Sequence, residues 1–110
     1  MERRMALRAR TDFGVVAHDG AARASCRGIE ISTTGIVVDR GRGVLPRDCP
    51  VLLGLELRLP ERLRPLRALA RPVWSFGSQQ AFKFLRMTDM DRLSLAEHLD
   101  LLRMKGVPLC

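Results

Sequence analysis

Along most of the chain, hydrophobic and polar residues alternate with a period of two, and the alternation is broken by glycines, prolines and short polar clusters. The clearest stretch is 51–59. Leu53, Leu55, Leu57 and Leu59 fall on one face there, and Gly54, Glu56 and Arg58 fall on the other. This period is that of a half-buried strand. The segment 60–65 interrupts it with two prolines, and alternation resumes over 66–76 with Ala68, Ala70 and Trp74 on one side and Arg67 and Arg71 on the other. Pro72 has no amide hydrogen to donate to a ladder, so an edge or a bulge is expected there. Gly77-Ser78 turns the chain into a last strand over 80–87, where Phe82 and Phe84 alternate with Lys83 and Leu85. Residues 74, 82 and 84 read as core rather than as a base-stacking platform.

The first half carries the same signals more weakly. A strand is expected over 12–17, with Phe13 and Val15 on one face, and His18-Asp19-Gly20 marks a hairpin turn. The return strand spans 22–31, a short strand spans 36–39, and Gly41-Arg42-Gly43 with Pro46 marks a loop. His18 has no acidic or thiol neighbour in the sequence and reads as a surface residue.

The period changes to that of a helix after residue 88. Thr88 is a hydroxyl cap with Asp91 three residues on, and Leu95, Leu99 and Leu102 recur at helical spacing, joined by Leu93 and Ala96 on adjacent turns. Gly106 and Pro108 end the helix. Leu101 and Met104 widen its apolar surface beyond one stripe, so packing on the sheet and contact with a partner or second copy both fit. His98 lies among apolar neighbours and carries no ligand signature. Six short strands and one helix predict a mainly β fold, a small six-stranded antiparallel barrel with a C-terminal helix, closure removing the sheet edges.

The chain has 110 residues, enough for one domain with a modest core. No run is long and apolar enough to cross a bilayer, and Met5-Ala6-Leu7 is too short for a signal-peptide core. Cys26, Cys49 and Cys110 are odd in number and lack C-x-x-C spacing, which argues against a disulfide framework or a zinc site. A cytoplasmic protein without membrane insertion is expected. The net charge of +7 directs attention to anionic partners. Arginine supplies 17 of the 19 basic residues but is spread along the chain, which speaks for a solvated surface and against a nucleic-acid footprint.

The candidate chemistry gathers at Glu30-Ile31-Ser32-Thr33-Thr34-Gly35. Two hydroxyl residues and a glycine separate two apolar runs, as in a tight bend, where Gly35 is expected to supply a positive φ. Glu30 and Ser32 leave the same face of an extended segment, so a carboxylate and a hydroxyl stand together beside the bend. Residues 1–10 hold Arg3, Arg4 and Arg8 and few apolar anchors, and read as a mobile basic arm. No histidine lies near a candidate nucleophile, and there is no shared carboxylate pair, phosphate loop with lysine, or metal-ligand cluster. These absences favour a binding module over an enzyme, with no metal and no cofactor.

An arginine pair spaced R-x-x-x-R followed by (D/N)-x-S-x-x-G resembles the PilZ domain, a bacterial receptor for cyclic di-GMP. Arg4 and Arg8 match the pair, and Ser32 and Gly35 match the last two positions of the second motif, whereas Glu30 replaces the usual Asp or Asn. Arg71-Pro72-Val73-Trp74 is similar to the family's strand ending in Val-x-Trp, Ala81-Phe82-Lys83-Phe84 comes close to G-x-x-F, and a leucine-rich helix over 90–104 closes the domain. The resemblance implies a PilZ-like barrel over 11–105 behind the arm, with a tail at 106–110. It implies a stand-alone adaptor that binds cyclic di-GMP through Arg3, Arg4, Arg8, Glu30, Ser32 and Gly35 and relays the signal by arm ordering and contact with an unidentified protein. A PilZ-like interaction module without nucleotide binding, and a small basic barrel that binds nucleic acid, remain as alternatives.

Overall fold

The computed structural model describes residues 9–20, 22–41 and 52–104. These form six strands and one helix: β1 (Ala9–His18), β2 (Arg23–Ile31), β3 (Gly35–Asp39), β4 (Leu53–Arg58), β5 (Leu66–Phe76), β6 (Gln79–Met87) and α1 (Asp89–Met104). The sheet closes in the order β1-β2-β3-β6-β5-β4, all neighbours antiparallel, with β4 pairing back onto β1. The expected six-stranded barrel with a C-terminal helix is what forms. Strand β1 starts at Ala9, so Ala9 and Arg10, read from the sequence as part of the arm, are the first rungs of the sheet. Arg3, Arg4 and Arg8, the loop from Arg42 onward to 51, and the 106–110 tail lie outside the described residues.

The leucine alternation of β4 points inward as its period requires: Leu53, Leu55 and Leu57 are buried, as is Leu59 just beyond the strand. Val15, Ile31, Ile36, Val38, Leu66, Phe82 and Phe84 fill the interior from the other strands. Helix α1 begins as the cap predicts, with the Thr88 Oγ1 accepting from the Asp91 amide at 3.1 Å. It packs on β1 and β5, with Leu95 in the core and Leu99 and Leu102 against it.

Two histidines are better held than the sequence indicates. His98 is buried, with Nδ1 2.8 Å from Glu61 Oε2 and Nε2 3.3 Å from Thr11 Oγ1, and its ring stands edge-on to Phe13. In the neutral tautomer that fits both contacts, Nδ1–H donates to the carboxylate and Nε2 accepts from the hydroxyl. Neither partner belongs to the helix, so helical periodicity could not reveal them. His18 is not a bare surface residue: its ring lies over Gly54 of β4, and Nε2 is 4.0 Å from Glu56 Oε2.

Bulges set which residues reach the outer surface. In β2, Gly28 pairs with Val38 and Glu30 with Val37, which leaves Ile29 as the extra residue. Without that insertion Glu30 would follow Gly28 into the core; with it, Ile31 turns inward and Glu30 outward. In β5, Pro72 pairs with Phe82 and Trp74 with Ala81, which leaves Val73 as the extra residue. The bulge expected at Pro72 is therefore present, and it corrects the reading of Trp74 as core. The indole shifts to the outer face and is 41% exposed, while Phe82 and Phe84 stay buried.

Candidate functional site

The site is built from the bend after β2 and the outer faces of the strands beside it. The Ser32 amide donates to the Gly35 carbonyl at 2.9 Å, which closes the bend. The Ser32 hydroxyl oxygen accepts from the Thr34 and Gly35 amides at 3.1 and 3.2 Å and lies 3.2 Å from the Thr34 hydroxyl. Two amides and a hydroxyl take up most of what one serine side chain can offer. Ser32 is also only 3% exposed. Its role in this geometry is to hold the bend, an ST-turn of the kind serine favours. A bond from the Phe84 amide to the Thr34 carbonyl, at 2.8 Å, ties the bend to β6.

Gly35 is required for a reason other than the one expected. The described glycines with positive φ are Gly20, Gly41 and Gly77, and Gly35 is not among them. A β-carbon at Gly35 would instead stand 2.5 Å from the Phe82 carbonyl oxygen. The glycine lets β3 and β6 approach closely, edge to edge, as the bend ends, one of the uses of a missing side chain in a strand.

Strand pairing then arranges two rows across the outer surface. Directly opposed residues share a face. Arg10 pairs with Glu30, Glu30 with Val37, Val37 with Ala81, and Ala81 with Trp74, so one row crosses five strands. Gly35 pairs with Lys83, and Lys83 with Arg71, so a second row runs beside the first. Val37 and Ala81 form a small apolar floor, and both are buried although they face away from the core. Glu30 and Arg10 flank the floor on one side, and the Trp74 indole flanks it on the other. Lys83 and Arg71 are exposed along the second row, and neither takes part in an ion pair among the described residues.

The entry of the chain into the sheet lies at this same place. Ala9 pairs with Ile31, the residue immediately before Ser32. Of the residues singled out in the sequence, Ser32 and Gly35 close the bend, and Glu30 is a rung of β2 just before it. Sequence reasoning did not find Arg10, Arg71, Trp74 and Lys83. Only strand register could have brought these together, and a bulge reversed the parity that would have assigned Trp74.

The surface combines cations, one carboxylate and an exposed aromatic plane around an apolar floor. Cations grip phosphates, a carboxylate accepts from the N–H edge of a base, and an indole offers a stacking face. Among the described residues no group of three or more His, Cys, Asp or Glu side chains is placed to hold a metal, and no helix is long and apolar enough to cross a membrane. At the other end of β3, Asp39 accepts from the Gly41 amide at 2.7 Å. That bond, then one with Ser78, then the Arg27 and Arg40 charges, hold its carboxyl below the usual aspartate range. Burial pushes the half-buried Cys26 thiol up.

No family model matches the chain, and no curated protein sequence does. Solved structures do. The inhibitor of motility MotI/DgrA of Bacillus subtilis superposes over 96% of this chain with a TM-score of 0.78 at 18% identity. The match takes in 53% of that protein, so the chain spans about half its length. The PilZ domain of YcgR from Escherichia coli, with c-di-GMP, matches over 96% of this chain and 95% of its own, with a TM-score of 0.70 at 13% identity. The PilZ domain of CeSA from a cellulose-synthesizing bacterium matches over 87% and 97% with a TM-score of 0.65 at 16% identity. At these identities the likeness is one of fold.

Proposed function

We propose that this PilZ-like domain is a receptor for cyclic di-GMP that acts as an adaptor, with the nucleotide bound between the N-terminal arm and the outer face of β2, β3, β6 and β5. The observation that carries the reading is the pairing of Ala9 with Ile31, which starts the arm one residue from the Ser32 bend. Arg4 and Arg8 of the R-x-x-x-R pair, with Arg3 in support, are assigned to the phosphates and guanines, since a guanidinium can grip a phosphate, address guanine O6 and N7, or lie flat on a base. Lys83 and Arg71 add cations along the neighbouring row, and Trp74 adds a stacking face. Glu30 keeps the acceptor for the guanine N1 and N2 edge that the motif normally provides with Asp or Asn. It sets that acceptor one methylene further out. Ser32 and Gly35 act by shaping the bend.

Two of the solved structures similar in fold support the two halves of the proposal. One is a PilZ domain with c-di-GMP, and the other is an inhibitor of motility. Ordering of the arm on the nucleotide would change the surface offered to a protein partner, an order–disorder switch. The test is calorimetric titration of the purified protein with cyclic di-GMP. Binding is expected, and Arg4→Ala and Arg8→Ala should each abolish it while the thermal melting of the barrel stays as in the wild type. No heat at tens of micromolar nucleotide, a binding free energy of roughly 6 kcal/mol, would leave the rival reading, a PilZ-like module that works by protein contact alone.

A further inference from the structure

Helix α1 has a second face whose apolar side chains are left exposed among the described residues. Its inner face carries Leu95, His98, Leu99 and Leu102. On the opposite side Met90 is 74% exposed, Leu93 57%, Leu101 36% and Met104 80%. At about 100° per residue these four, with Glu97, lie within an arc of roughly 80°. Leu63, fully exposed in the β4–β5 connection, adds to the apolar character of this side of the molecule. Two exposed apolar pairs, Met90 with Leu93 and Leu101 with Met104, thus flank the Glu97–Arg62 ion pair, an apolar surface rimmed and centred by charge of the kind that marks a site of association.

The stripe has an internal symmetry that suits a second copy of the chain as its occupant. Met90 and Met104 are equally far from Glu97 along the helix, and so are Leu93 and Leu101. Turned end for end about Glu97, the stripe maps onto itself. A twofold interface needs such a self-complementary patch, because each residue must meet its mate on the other copy. We infer that α1 is the homodimerisation element of this protein, pairing antiparallel with α1 of a second copy about a twofold axis at Glu97.

Charge supports the antiparallel sense. Asp89 lies in the first turn of α1 and Arg103 in the last, so end-for-end pairing brings Asp89 of each copy towards Arg103 of the other, while Asp91 is turned to the barrel and accepts from the Arg67 amide at 3.2 Å. Two Glu97 side chains meet at the axis, which would oppose association if they were bare. Each is bound by Arg62 of its own chain, so the axis carries two neutralised pairs. One helix pair is a small interface, so a reversible dimer is expected in place of an obligate one. The inference does not depend on nucleotide binding.

Sedimentation equilibrium over about 1 µM to 1 mM should show the mass rising from one chain to two, as a small interface predicts. Leu93→Lys and Leu101→Lys should each weaken association at least roughly tenfold, a change of about 1.4 kcal/mol, with the circular dichroism spectrum unchanged. A single-chain mass throughout that range would overturn the inference, and so would a dimer indifferent to both changes. Cross-linking tests the axis itself. Under mild oxidation Glu97→Cys should form a 97–97 disulfide between copies, identified by peptide mapping so that the native thiols do not confuse the reading. Met90→Cys alone should not pair with itself, because the two copies of residue 90 would lie about 21 Å apart along the axis. A 90–90 disulfide formed as readily as the 97–97 one would overturn the antiparallel arrangement.

Discussion

A β-carbon on Gly35 would stand 2.5 Å from the carbonyl oxygen of Phe82, so β3 and β6 meet at that point only because residue 35 has no side chain. The neighbouring atom is backbone and cannot swing aside. Gly35→Ala must therefore part the two strands or tilt the bend, at a cost of about 1–3 kcal/mol as for other overpacked sites. The expected readout is a lower urea midpoint with an unchanged slope. Cyclic di-GMP affinity, on the proposed reading, should fall as well, since the same shift displaces Thr34 and the Lys83 row.

Ser32→Ala separates bend-holding from direct ligand contact. The substitution leaves the Thr34 and Gly35 amides without their acceptor in a bend whose serine is buried. An unmet buried donor costs about 1–3 kcal/mol. Loss of stability in the nucleotide-free protein is the expected outcome. A melting curve identical to that of the wild type would show that the hydroxyl is not needed for the bend.

Trp74 and Phe84 should respond in opposite ways. Trp74 is exposed, so Trp74→Ala should barely move the melting temperature, yet it should weaken nucleotide binding by about 1–3 kcal/mol if a base stacks there. Phe84 is 7% exposed, and Phe84→Ala should cost about 3–5 kcal/mol of stability. As the only tryptophan, Trp74 also reports directly: its emission should change on titration with cyclic di-GMP. Emission that stays constant through a calorimetrically proven titration would remove the indole from the site.

The contrast between these two aromatics shows what the sequence could reveal. Period-two patterning located all six strands, because one face of each strand is buried and the leucines of β4 and the phenylalanines of β6 keep strict alternation. Trp74 was misplaced because parity counted across Pro72 assumes no inserted residue, and Val73 is inserted. Gly35 was correctly singled out with the wrong reason, since a glycine in sequence does not distinguish a positive φ from a close approach of backbone. Ser32 and Gly35 were legible as a pair because the bend is local, whereas the outward aim of Glu30 depends on the bulge at Ile29. Arg71 and Lys83 join them only through long-range register, which the order β3-β6-β5 sets and no local pattern encodes.

His98 ties three elements together, so its loss should be felt well beyond α1. The ring bridges Thr11 of β1 and Glu61 of the β4–β5 connection, and Phe13 packs on it edge-on. His98→Ala removes a hydrogen bond to a carboxylate, worth about 1.5–3 kcal/mol, and leaves a cavity besides. Destabilisation should appear in both the helical and the sheet signals at one midpoint, as for a single cooperative unit. Glu61→Gln keeps a neutral acceptor and should cost less than His98→Ala. Equal losses would place the whole effect in the carboxylate charge.

Asp39 supplies the acid dependence. Its carboxyl is held below the usual aspartate range, first by the Gly41 amide, then by Ser78, then by the charges of Arg27 and Arg40. The unfolded chain therefore binds a proton at higher pH than the folded one does, and stability falls as protons are added. The contribution is fully present above the ordinary aspartate value of about 3.9. It is lost as pH falls through the lower folded value. Asp39→Asn should accordingly melt below the wild type at pH 7, and the gap should close on going to pH values under about 3. The group is within reach of solvent, so added salt should shrink the part due to Arg27 and Arg40 and leave the part due to the Gly41 amide. A gap that widened towards low pH would mean that the carboxylate is not stabilised by folding at all.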